Sequence, residues 1–455
     1  MKDAIVPRVG FVGFGEVNTP PEFIVERCKA AAAGLRQAGL EVTETAPVSD
    51  DPQGAQAARA ADELGREDFD ALVLCVAGWI PSWAVFRTIE NFRHKPMVLL
   101  GLTGWQEGDR FVTTADQAGT TALRLPMEQM GYTFKYVVTL RGAELPVDSV
   151  ASYCRAAATA RRLRSARIGM AGYRDMRLFG TTYDGMSLQG RIGPEIEHFE
   201  LLELQQAMEK VTDDDVAGPA AALKDRWEFK REPQPGTVEN SVRFYLAVRR
   251  KIEERGYDAF SYNDVDGVKK LLGFAPAGAM TLLHDEMSLP TVPENDSLGS
   301  VTQLMVHYLT GQVGAYLEFY EFTGDGALMG VPDYVPSEIV DGKVTVMPNA
   351  FGSFGEGLLN VSKLKTGKVT IARLAPCGAG YGLHVVTGEA VAPIPWEEAG
   401  WAPPAPQLPS LDVKLDAPVE EFIAKVMSQH YIISYGDNRA GLLDLCSILG
   451  VETVG

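Results

Sequence analysis

Apolar residues in the first part of the chain occur in short continuous runs separated by longer amphipathic stretches. Runs at 9–14, 71–77 and 97–102 predict buried strands, and 41–48 is a further candidate strand. A pair of prolines followed by apolar residues at helical spacing predicts a helix between the first two strands of the chain. This alternation is typical of a parallel sheet that is covered by helices on both faces.

The alternating pattern stops where basic residues end a helix at 161–165, and then it restarts. Strands are predicted at Arg167–Ala171, 196–204 and 259–263, with a charged helix at 240–255. The second stretch therefore indicates another α/β unit.

The pattern changes again after about residue 310. Residues 343–347, 367–374 and 383–387 are β-branched or alternate between apolar and polar, and turn residues separate them. A last helix is predicted at 419–429. This part of the chain is expected to be rich in β-strands.

The 455 residues exceed what one ordinary core supports, so several domains are expected. We predict an α/β protein with two doubly wound parallel-sheet α/β domains followed by a β-rich C-terminal domain. The expected ranges are 1–165, 166–310 and 311–455. The second would carry Glu294, and the third would carry Glu318 and His430.

Charge and cysteine content narrow the function classes. The formal net charge of −18 argues against nucleic acid and anionic membranes as partners. No apolar window is long enough for a transmembrane helix, and the start of the chain runs straight into a strand without a signal peptide. The five cysteines form no C-x-x-C pair and lie mostly in apolar runs. A reducing, cytoplasmic location is therefore expected.

A glycine-rich turn follows the first predicted strand. A dinucleotide-binding fingerprint needs G-x-G-x-x-G/A at a strand-to-helix turn. The chain has Gly13-x-Gly15-x-x-Asn18, which lacks the third glycine. A tight turn is the simpler interpretation, although a nicotinamide-dependent dehydrogenase stays open as an alternative.

Two carboxylates and a histidine interrupt apolar segments. Glu294 follows a short apolar run, Glu318 lies 24 positions later, and His430 precedes a β-branched stretch. A carboxylate in apolar surroundings is costly unless it is protonated, paired or bound to a cation. Two acids and an imidazole together can hold a divalent metal ion, so a metal site is one hypothesis.

Each of the three residues also has a simpler interpretation. Asp296 or Ser297 could cap a helix, but capping needs only one of these polar residues, which leaves Glu294 unexplained. Strand alternation could point Glu318 into solvent. His430 could sit at a helix C-terminus and interact with the helix dipole.

These segments resemble the L-fucose/L-arabinose isomerase family, most closely its L-fucose isomerase branch. The resemblance rests on Glu294-Asn-Asp-Ser-Leu298, on Leu304-Met-Val-His-Tyr-Leu-Thr-Gly311, on the acid Glu318 and on Ser428-Gln-His-Tyr-Ile-Ile-Ser-Tyr-Gly436. Weaker similarity covers the region of Trp79 and the start of the second unit. The matching segments occur in the same order along the chain.

The resemblance implies a metal-dependent aldose–ketose isomerase that works through a cis-enediol or enediolate. Glu294 and Glu318 would exchange protons with the sugar, and both would bind a divalent cation, most commonly Mn²⁺, together with His430. Carboxylate oxygens with one imidazole suit that ion. Trp79, Gln429 and Asn263 are the expected substrate contacts. The resemblance also implies a homo-oligomer, a trimer or hexamer, in which a neighbouring subunit closes the pocket.

Several positions depart from the fucose-isomerase pattern. Glu318 stands where aspartate is usual, Gln429 replaces an asparagine, and the loop after the first strand offers Glu16 and Asn18 where an arginine is expected. These departures leave the sugar open.

The expected substrate is a pentose or 6-deoxyhexose of the L-fucose/L-arabinose type. A C6-modified anionic hexose such as sulfoquinovose is an alternative, for which Arg174, Arg177 and Arg439 are candidate contacts. A non-catalytic sugar-binding protein is a further alternative.

Overall fold

The computed structural model describes residues 5–331, 334–349, 354–393 and 410–455. The chain divides into two compact units. Residues Ile5–Arg161 and Leu443–Gly450 form the N-terminal unit, and Arg162–Leu442 with Val451–Gly455 form the C-terminal unit. Apart from Leu443–Gly450, both later domains expected from the sequence fall within the C-terminal unit, so the division into three domains stays a prediction.

The N-terminal unit is built on a parallel sheet. Its strands are β1 Arg8–Phe14, β2 Glu41–Glu44, β3 Ala71–Val76, β4 Met97–Gly101, β5 Trp105–Glu107, β6 Arg110–Val112 and β7 Phe134–Val138. The helices that begin in it are α1 Pro21–Gln37, α2 Ala55–Gly65, α3 Ser82–Ile89, α4 Asp116–Gln129 and α5 Val147–Leu163. Five strands pair in the order β2-β1-β3-β4-β7, all parallel, so the α/β pattern predicted for this part is confirmed.

The glycine-rich turn of this unit has a packing explanation. A Cβ atom added at Gly13 would lie 2.3 Å from Cys28 Sγ, and one added at Gly15 would lie 2.4 Å from Ile24 Cδ1. Both contacts are far shorter than van der Waals separation, so these glycines let α1 pack closely against the end of β1. The tight-turn interpretation accounts for the motif without a nucleotide.

The C-terminal unit begins with a second α/β layer. Its elements up to residue 310 are β8 Arg167–Ala171, α6 Gly185–Arg191, β9 Glu195–Phe199, α7 Leu201–Glu209, α8 Asp213–Arg226, β10 Glu228–Phe229, α9 Thr237–Arg255, β11 Ala259–Tyr262, α10 Ala277–Met287, β12 Thr291–Val292 and α11 Ser297–Thr310. A π-helix spans Asp264–Leu272. Strands pair in the parallel order β12-β11-β8-β9, as the second run of alternating elements predicted.

The remainder of the C-terminal unit contains a barrel-like sheet and two strands of a separate three-stranded sheet. Its elements are β13 Ala315–Phe322, β14 Gly326–Gly330, β15 Thr345–Asn349, β16 Gly357–Asn360, β17 Gly367–Cys377, β18 Gly380–Val391, β19 Ser410–Leu415, α12 Val419–Ala424, β20 His430–Tyr435, α13 Arg439–Leu449 and β21 Glu452–Val454. The antiparallel order is β17-β20-β13-β14-β19-β18, and β18 also pairs with β17, which closes the ring. The predicted β-rich region is confirmed.

Three predicted elements are wrong in type or extent. The strand predicted at 41–48 ends at Glu44. The strand predicted at 196–204 ends at Phe199, and the apolar residues that follow form α7. The helix predicted at 419–429 ends at Ala424, and His430 is the first residue of β20. The predicted position of His430 at a helix C-terminus is therefore wrong, because its ladder partners fix it in a strand.

Helix α11 lies at the centre of the C-terminal unit. Its residues from Ser297 to Val306 are all buried, so it is covered on every side and its N-terminus is held inside the protein. No helix in the part of the chain that the structure describes combines the length and apolarity needed to cross a bilayer.

Candidate functional site

Glu294 lies in a tight connection between β12 and α11. The backbone φ is +64° at Glu294 and +51° at Asn295, a left-handed conformation that non-glycine residues rarely adopt. The Asn295 side chain holds this turn, since its Nδ2 donates to the carbonyls of Ala171 at 3.0 Å and Tyr173 at 2.7 Å. Such strain persists only where the surroundings enforce it, and it concentrates at functional sites.

Asp296 is the centre of a buried polar cluster. It caps α11 by accepting a hydrogen bond from the Gly299 N–H at 2.9 Å. Arg373 of β17 donates to both carboxylate oxygens, at 2.5 and 2.9 Å, and the Tyr316 hydroxyl donates at 2.9 Å. Asp296 and Arg373 are each only 1% exposed, so the charges neutralise each other away from water.

The same cluster reaches His430 through Tyr316. The Tyr316 ring stacks on the His430 imidazole, with ring centroids 4.3 Å apart and planes 19° from parallel. The hydroxyl of Tyr316 is fixed by Asp296. Tyr316 therefore connects the cap of α11 to the orientation of the histidine ring.

Strand register brings Glu318 to His430. In the antiparallel pair β13–β20, Glu318 lies directly opposite His430. Glu318 Oε2 is 3.4 Å from His430 Nε2, and Glu294 Oε2 is 3.9 Å from His430 Nδ1. Gln429 also donates a hydrogen bond to Glu318 Oε2. The imidazole thus has a carboxylate at each of its two ring nitrogens.

The two carboxyl groups differ in proton affinity. Burial, reinforced by the nearby charges of Asp264, Asp296, Asp175 and Glu318, raises the pKa of Glu294 to about 9. Burial also acts on Glu318, but contacts with His430 and Gln429 outweigh it and lower the pKa of that carboxyl. Near pH 7 one acid holds a proton and the other is ionised, as in many acid–base pairs of enzymes.

The donor set suits a divalent cation in kind, although its side chains are not arranged around one point. Glu294, Glu318 and His430 are adjacent and largely buried, and Glu294 Oε2 has no hydrogen-bond partner. Across the described ranges, however, no three histidine, cysteine or acidic side chains are already arranged as a metal centre. The carboxylates lie at opposite edges of the imidazole, so sharing one ion requires their side chains to rotate.

Charged residues that the sequence did not single out surround this turn. Asp175 is fully buried and accepts backbone hydrogen bonds from Val265 at 2.7 Å and Asp266 at 2.8 Å. Lys269 of the π-helix is buried and lies 3.0 Å from Asp264 Oδ2. Asp175 and Lys269 are distant in sequence from Glu294, so no local spacing in the sequence predicts that they lie near this turn.

The predicted substrate contacts occupy different environments. Asn263 Oδ1 accepts from the Gly267 N–H at 2.7 Å and caps the π-helix. Gln429 is exposed and bound to Glu318. Trp79 is 38% exposed in the N-terminal unit, where its backbone N–H donates to the Thr114 carbonyl at 2.8 Å. For all three, substrate contact stays a prediction.

The three arginines that are candidates for binding an anionic sugar have different surroundings. The Arg174 guanidinium lies over the Phe179 ring, 4.8 Å from its centroid. Arg177 has a φ of +57°, and Arg439 Nη2 is 3.5 Å from the Gly455 carbonyl oxygen. Recognition of an anionic group by these residues stays a prediction.

A family model and several curated proteins match this chain. The model of the L-arabinose isomerase central domain matches residues 173–282. L-arabinose isomerase from Leuconostoc mesenteroides subsp. mesenteroides is 24% identical over 290 residues, which cover 60% of this chain and 59% of that protein. The enzyme from Shouchella clausii is 23% identical over 289 residues, covering 60% and 57%. The enzyme from Lactiplantibacillus plantarum is 29% identical over 164 residues, covering 33% of each chain.

Comparison with solved structures gives only weak likeness. A periplasmic solute-binding protein of an ABC transporter from Actinobacillus succinogenes, with bound D-allose, is 12% identical and has a TM-score of 0.17. It covers 67% of this chain and 92% of its own. That score is too low to bear on fold or function.

The chain spans less than two thirds of the length of the curated relatives. At low identity, the chain is thus similar to L-arabinose isomerases, and residues 173–282 match the model of their central domain.

Proposed function

We propose that the protein is a metal-dependent aldose–ketose isomerase. The observation that carries the proposal is that Glu294 and Glu318 flank His430 and have pKa values shifted in opposite directions. The matches to L-arabinose isomerases support the same reaction class. A split pair of carboxyl groups provides the acid and the base that aldose–ketose conversion requires.

The residues divide the proton transfers between them. Glu318 is ionised, so its Oε2 is the candidate base for the proton on C2 of the aldose. Glu294 retains a proton in the metal-free protein; once ionised to hold a metal, it would act as the acid after accepting a hydroxyl proton from the sugar. Both exchange protons between C1 and C2 and between O1 and O2 as a cis-enediol forms and collapses. The buried Asp296–Arg373 pair and Tyr316 hold His430 in place during these steps.

A divalent cation, most suitably Mn²⁺, would be held by Glu294, Glu318 and His430. When bound it would polarise the sugar carbonyl and stabilise negative charge on the neighbouring oxygens. Binding would also require Glu294 to release its proton, because a ligating carboxyl must be ionised.

The substrate proposed is a pentose or 6-deoxyhexose, and the similar L-arabinose isomerases favour the pentose. An anionic C6-modified hexose such as sulfoquinovose is the second candidate. Gln429 and Asn263 are the proposed contacts within this chain, and Trp79 is proposed to act from a neighbouring subunit of a homo-oligomer, a trimer or hexamer.

A panel of aldoses tests the proposal. The purified protein is incubated with Mn²⁺ and L-arabinose, L-fucose, related pentoses or sulfoquinovose, and ketose formation is measured. Conversion that stops on chelation and returns with Mn²⁺ is expected. Binding of a sugar without conversion would instead favour a binding protein, and saturable quenching of NADH fluorescence would favour a dehydrogenase. No ketose from any member, with metal present, contradicts the proposal.

A further inference from the structure

The guanidinium of Arg27 connects three loops at one edge of the N-terminal sheet. Arg27 lies in α1, which follows β1, and its Nη1 donates to the Ala77 carbonyl at 2.6 Å and to Thr114 Oγ1 at 2.7 Å. Its Nη2 donates to the Thr103 carbonyl at 2.5 Å and to Asp116 Oδ2 at 2.7 Å. Ala77 follows β3, Thr103 follows β4, and Thr114 and Asp116 lie where β6 leads into α4. These loops lie where the parallel strands end, which is the edge at which open α/β sheets bind ligands.

Arg27 suits this position by its shape as well as by its charge. The Arg27 side chain is 15% exposed and that of Asp116 is 2% exposed, so their ion pair is largely shielded from water. A guanidinium carries five N–H donors in one rigid plane, whereas the ammonium group of lysine donates from a single nitrogen. The Trp105 ring adds a cation–π contact, with its centroid 5.3 Å from Arg27 Cζ. A lysine could therefore replace the charge of Arg27 but not its four simultaneous hydrogen bonds.

The residues that Arg27 binds frame the backbone of Trp79. The Trp79 backbone N–H donates to the Thr114 carbonyl at 2.8 Å, and the Trp79 carbonyl accepts from the Glu16 N–H at 2.7 Å. The Thr114 hydroxyl donates to the carbonyl of Ala77, two positions before Trp79, at 2.7 Å. Arg27 binds that carbonyl and that hydroxyl at once. The orientation of Trp79, which is 38% exposed, thus depends on Arg27 through two neighbours.

The segment that accepts the Trp79 N–H is strained. Ala115, between Thr114 and Asp116, has a φ of +54°, in the left-handed region that residues with a Cβ rarely adopt. Such a conformation persists only where its surroundings enforce it, and it concentrates at functional sites. Arg27 binds the residue on each side of Ala115. The strained segment is therefore held by the same guanidinium that holds the loop of Trp79.

We propose that Arg27 is a positioning residue that fixes the indole of Trp79 for contact with the sugar. The inference rests on the proposed function, in which Trp79 contacts the substrate from a neighbouring subunit. A side chain whose orientation is set in advance binds better, because a mobile one loses conformational freedom on binding. Loss of Arg27 should therefore raise KM and leave kcat nearly unchanged, as expected of a group that supports the ground state and the transition state alike.

The first test compares two lysine variants of α1. Arg27→Lys keeps a positive charge beside Asp116 and should raise the KM for the aldose by about threefold to tenfold. Its kcat should stay within about twofold of the wild-type value. Arg36→Lys, near the other end of the same helix, where Arg36 donates to the Val42 carbonyl at 2.9 Å, is the matched control and should keep the wild-type KM. Thr114→Val removes the hydroxyl between Arg27 and Ala77, should raise KM in the same way, and decides the outcome if Arg27→Lys does not fold.

A double-mutant cycle tests whether Arg27 acts through Trp79. Trp79→Ala removes the indole and should itself raise KM. Arg27→Lys added to Trp79→Ala should raise KM no further, because the residue to be positioned is gone. An equal rise of KM in both backgrounds would mean that Arg27 acts elsewhere, and it would overturn the proposal.

Fluorine NMR of protein labelled with 5-fluorotryptophan tests the positioning without turnover. The Trp79 signal is identified by its loss in Trp79→Phe. It should shift or broaden in Arg27→Lys and in Thr114→Val and stay unchanged in Arg36→Lys. An unchanged Trp79 signal in Arg27→Lys overturns the positioning role even if the isomerase is active. If the wild type converts no aldose, the proposed function fails, and the same spectra still decide whether Arg27 sets the Trp79 indole.

Discussion

Glu318 and His430 lie directly opposite each other on antiparallel strands β13 and β20, with Glu318 Oε2 3.4 Å from His430 Nε2. The hydrogen-bonded register of the two strands places the residues opposite each other, and their side chains then make the contact. Because the pair is fixed by strand register, it exists before any sugar or cation binds. A change of one side chain should therefore alter the chemistry without altering the fold.

Glu318→Gln should abolish most of the isomerase activity while the protein remains folded. The amide keeps the shape of the side chain but cannot accept a proton from carbon, and loss of such a group typically costs about 10²–10⁴-fold in rate. The measurement is kcat for ketose formation together with the circular dichroism spectrum. Glu321→Gln, an exposed neighbour on the same strand, is the matched control and should turn over normally. Near-normal kcat in Glu318→Gln would remove that residue from the mechanism.

The raised pKa of Glu294 should make the stability of the metal-free protein depend on pH. Between the ordinary carboxyl pKa and about 9, the unfolded chain loses the Glu294 proton while the folded chain keeps it. Stability should therefore fall as pH rises through this window, by up to roughly 1.4 kcal/mol per pH unit from this group. Urea unfolding in chelator from pH 5 to 9 measures the slope.

Glu294→Gln removes this titration and should flatten the slope, so that the metal-free variant exceeds the wild type in stability at pH 8. Glu321→Gln should retain the wild-type slope. A slope that Glu294→Gln leaves unchanged would show that the carboxyl is already ionised in the folded protein. The sign is diagnostic, because a carboxyl with a lowered pKa gives the opposite dependence on pH.

The buried Asp296–Arg373 pair should be the most stability-sensitive part of the site. Asp296→Asn leaves the Arg373 guanidinium buried without its counter-charge and also weakens the cap of α11. Breaking a buried ion pair on one side typically costs about 3–5 kcal/mol. The midpoint of urea unfolding should fall accordingly.

Two further variants separate charge from packing. Asp296→Asn combined with Arg373→Met should recover part of the loss, because no unpaired charge remains. Asp62→Asn breaks an exposed pair with Arg66 and should change stability by less than about 1 kcal/mol. An Asp296→Asn variant as stable as the wild type would contradict the structural role given to this pair.

Local patterns in the sequence predicted much of the fold. Strands β1, β3 and β4 are continuous apolar runs in a parallel sheet, and such runs are short and bounded by turns, so their type and position follow from the sequence. The prediction for 196–204 is wrong because apolar and acidic residues intermix through both the strand and the helix there, so the pattern does not mark the change at Glu200.

The site could be predicted only in part. Glu294, Glu318 and His430 stand out in the sequence because they interrupt apolar segments, the family resemblance suggests their roles, and the structure brings them together. The Asp296–Arg373 pair was missed, because its members are 77 positions apart and Asp296 already had a local explanation as a cap. Long-range ion pairs depend on how the layers pack, and a single sequence carries no signal for that.

Stacking of Tyr316 on His430 should contribute to metal affinity separately from the Tyr316 hydroxyl. Tyr316→Phe keeps the ring over the imidazole, 4.3 Å between centroids, and loses only the hydrogen bond to Asp296. Tyr316→Leu loses both. Groups that orient a metal-bound histidine typically contribute about 10–100-fold in affinity. The leucine variant should therefore bind Mn²⁺ more weakly than the phenylalanine variant, as measured by calorimetry at constant pH. Unfolding curves of both variants supply the stability control, and equal Mn²⁺ affinities would show that the ring does not orient His430.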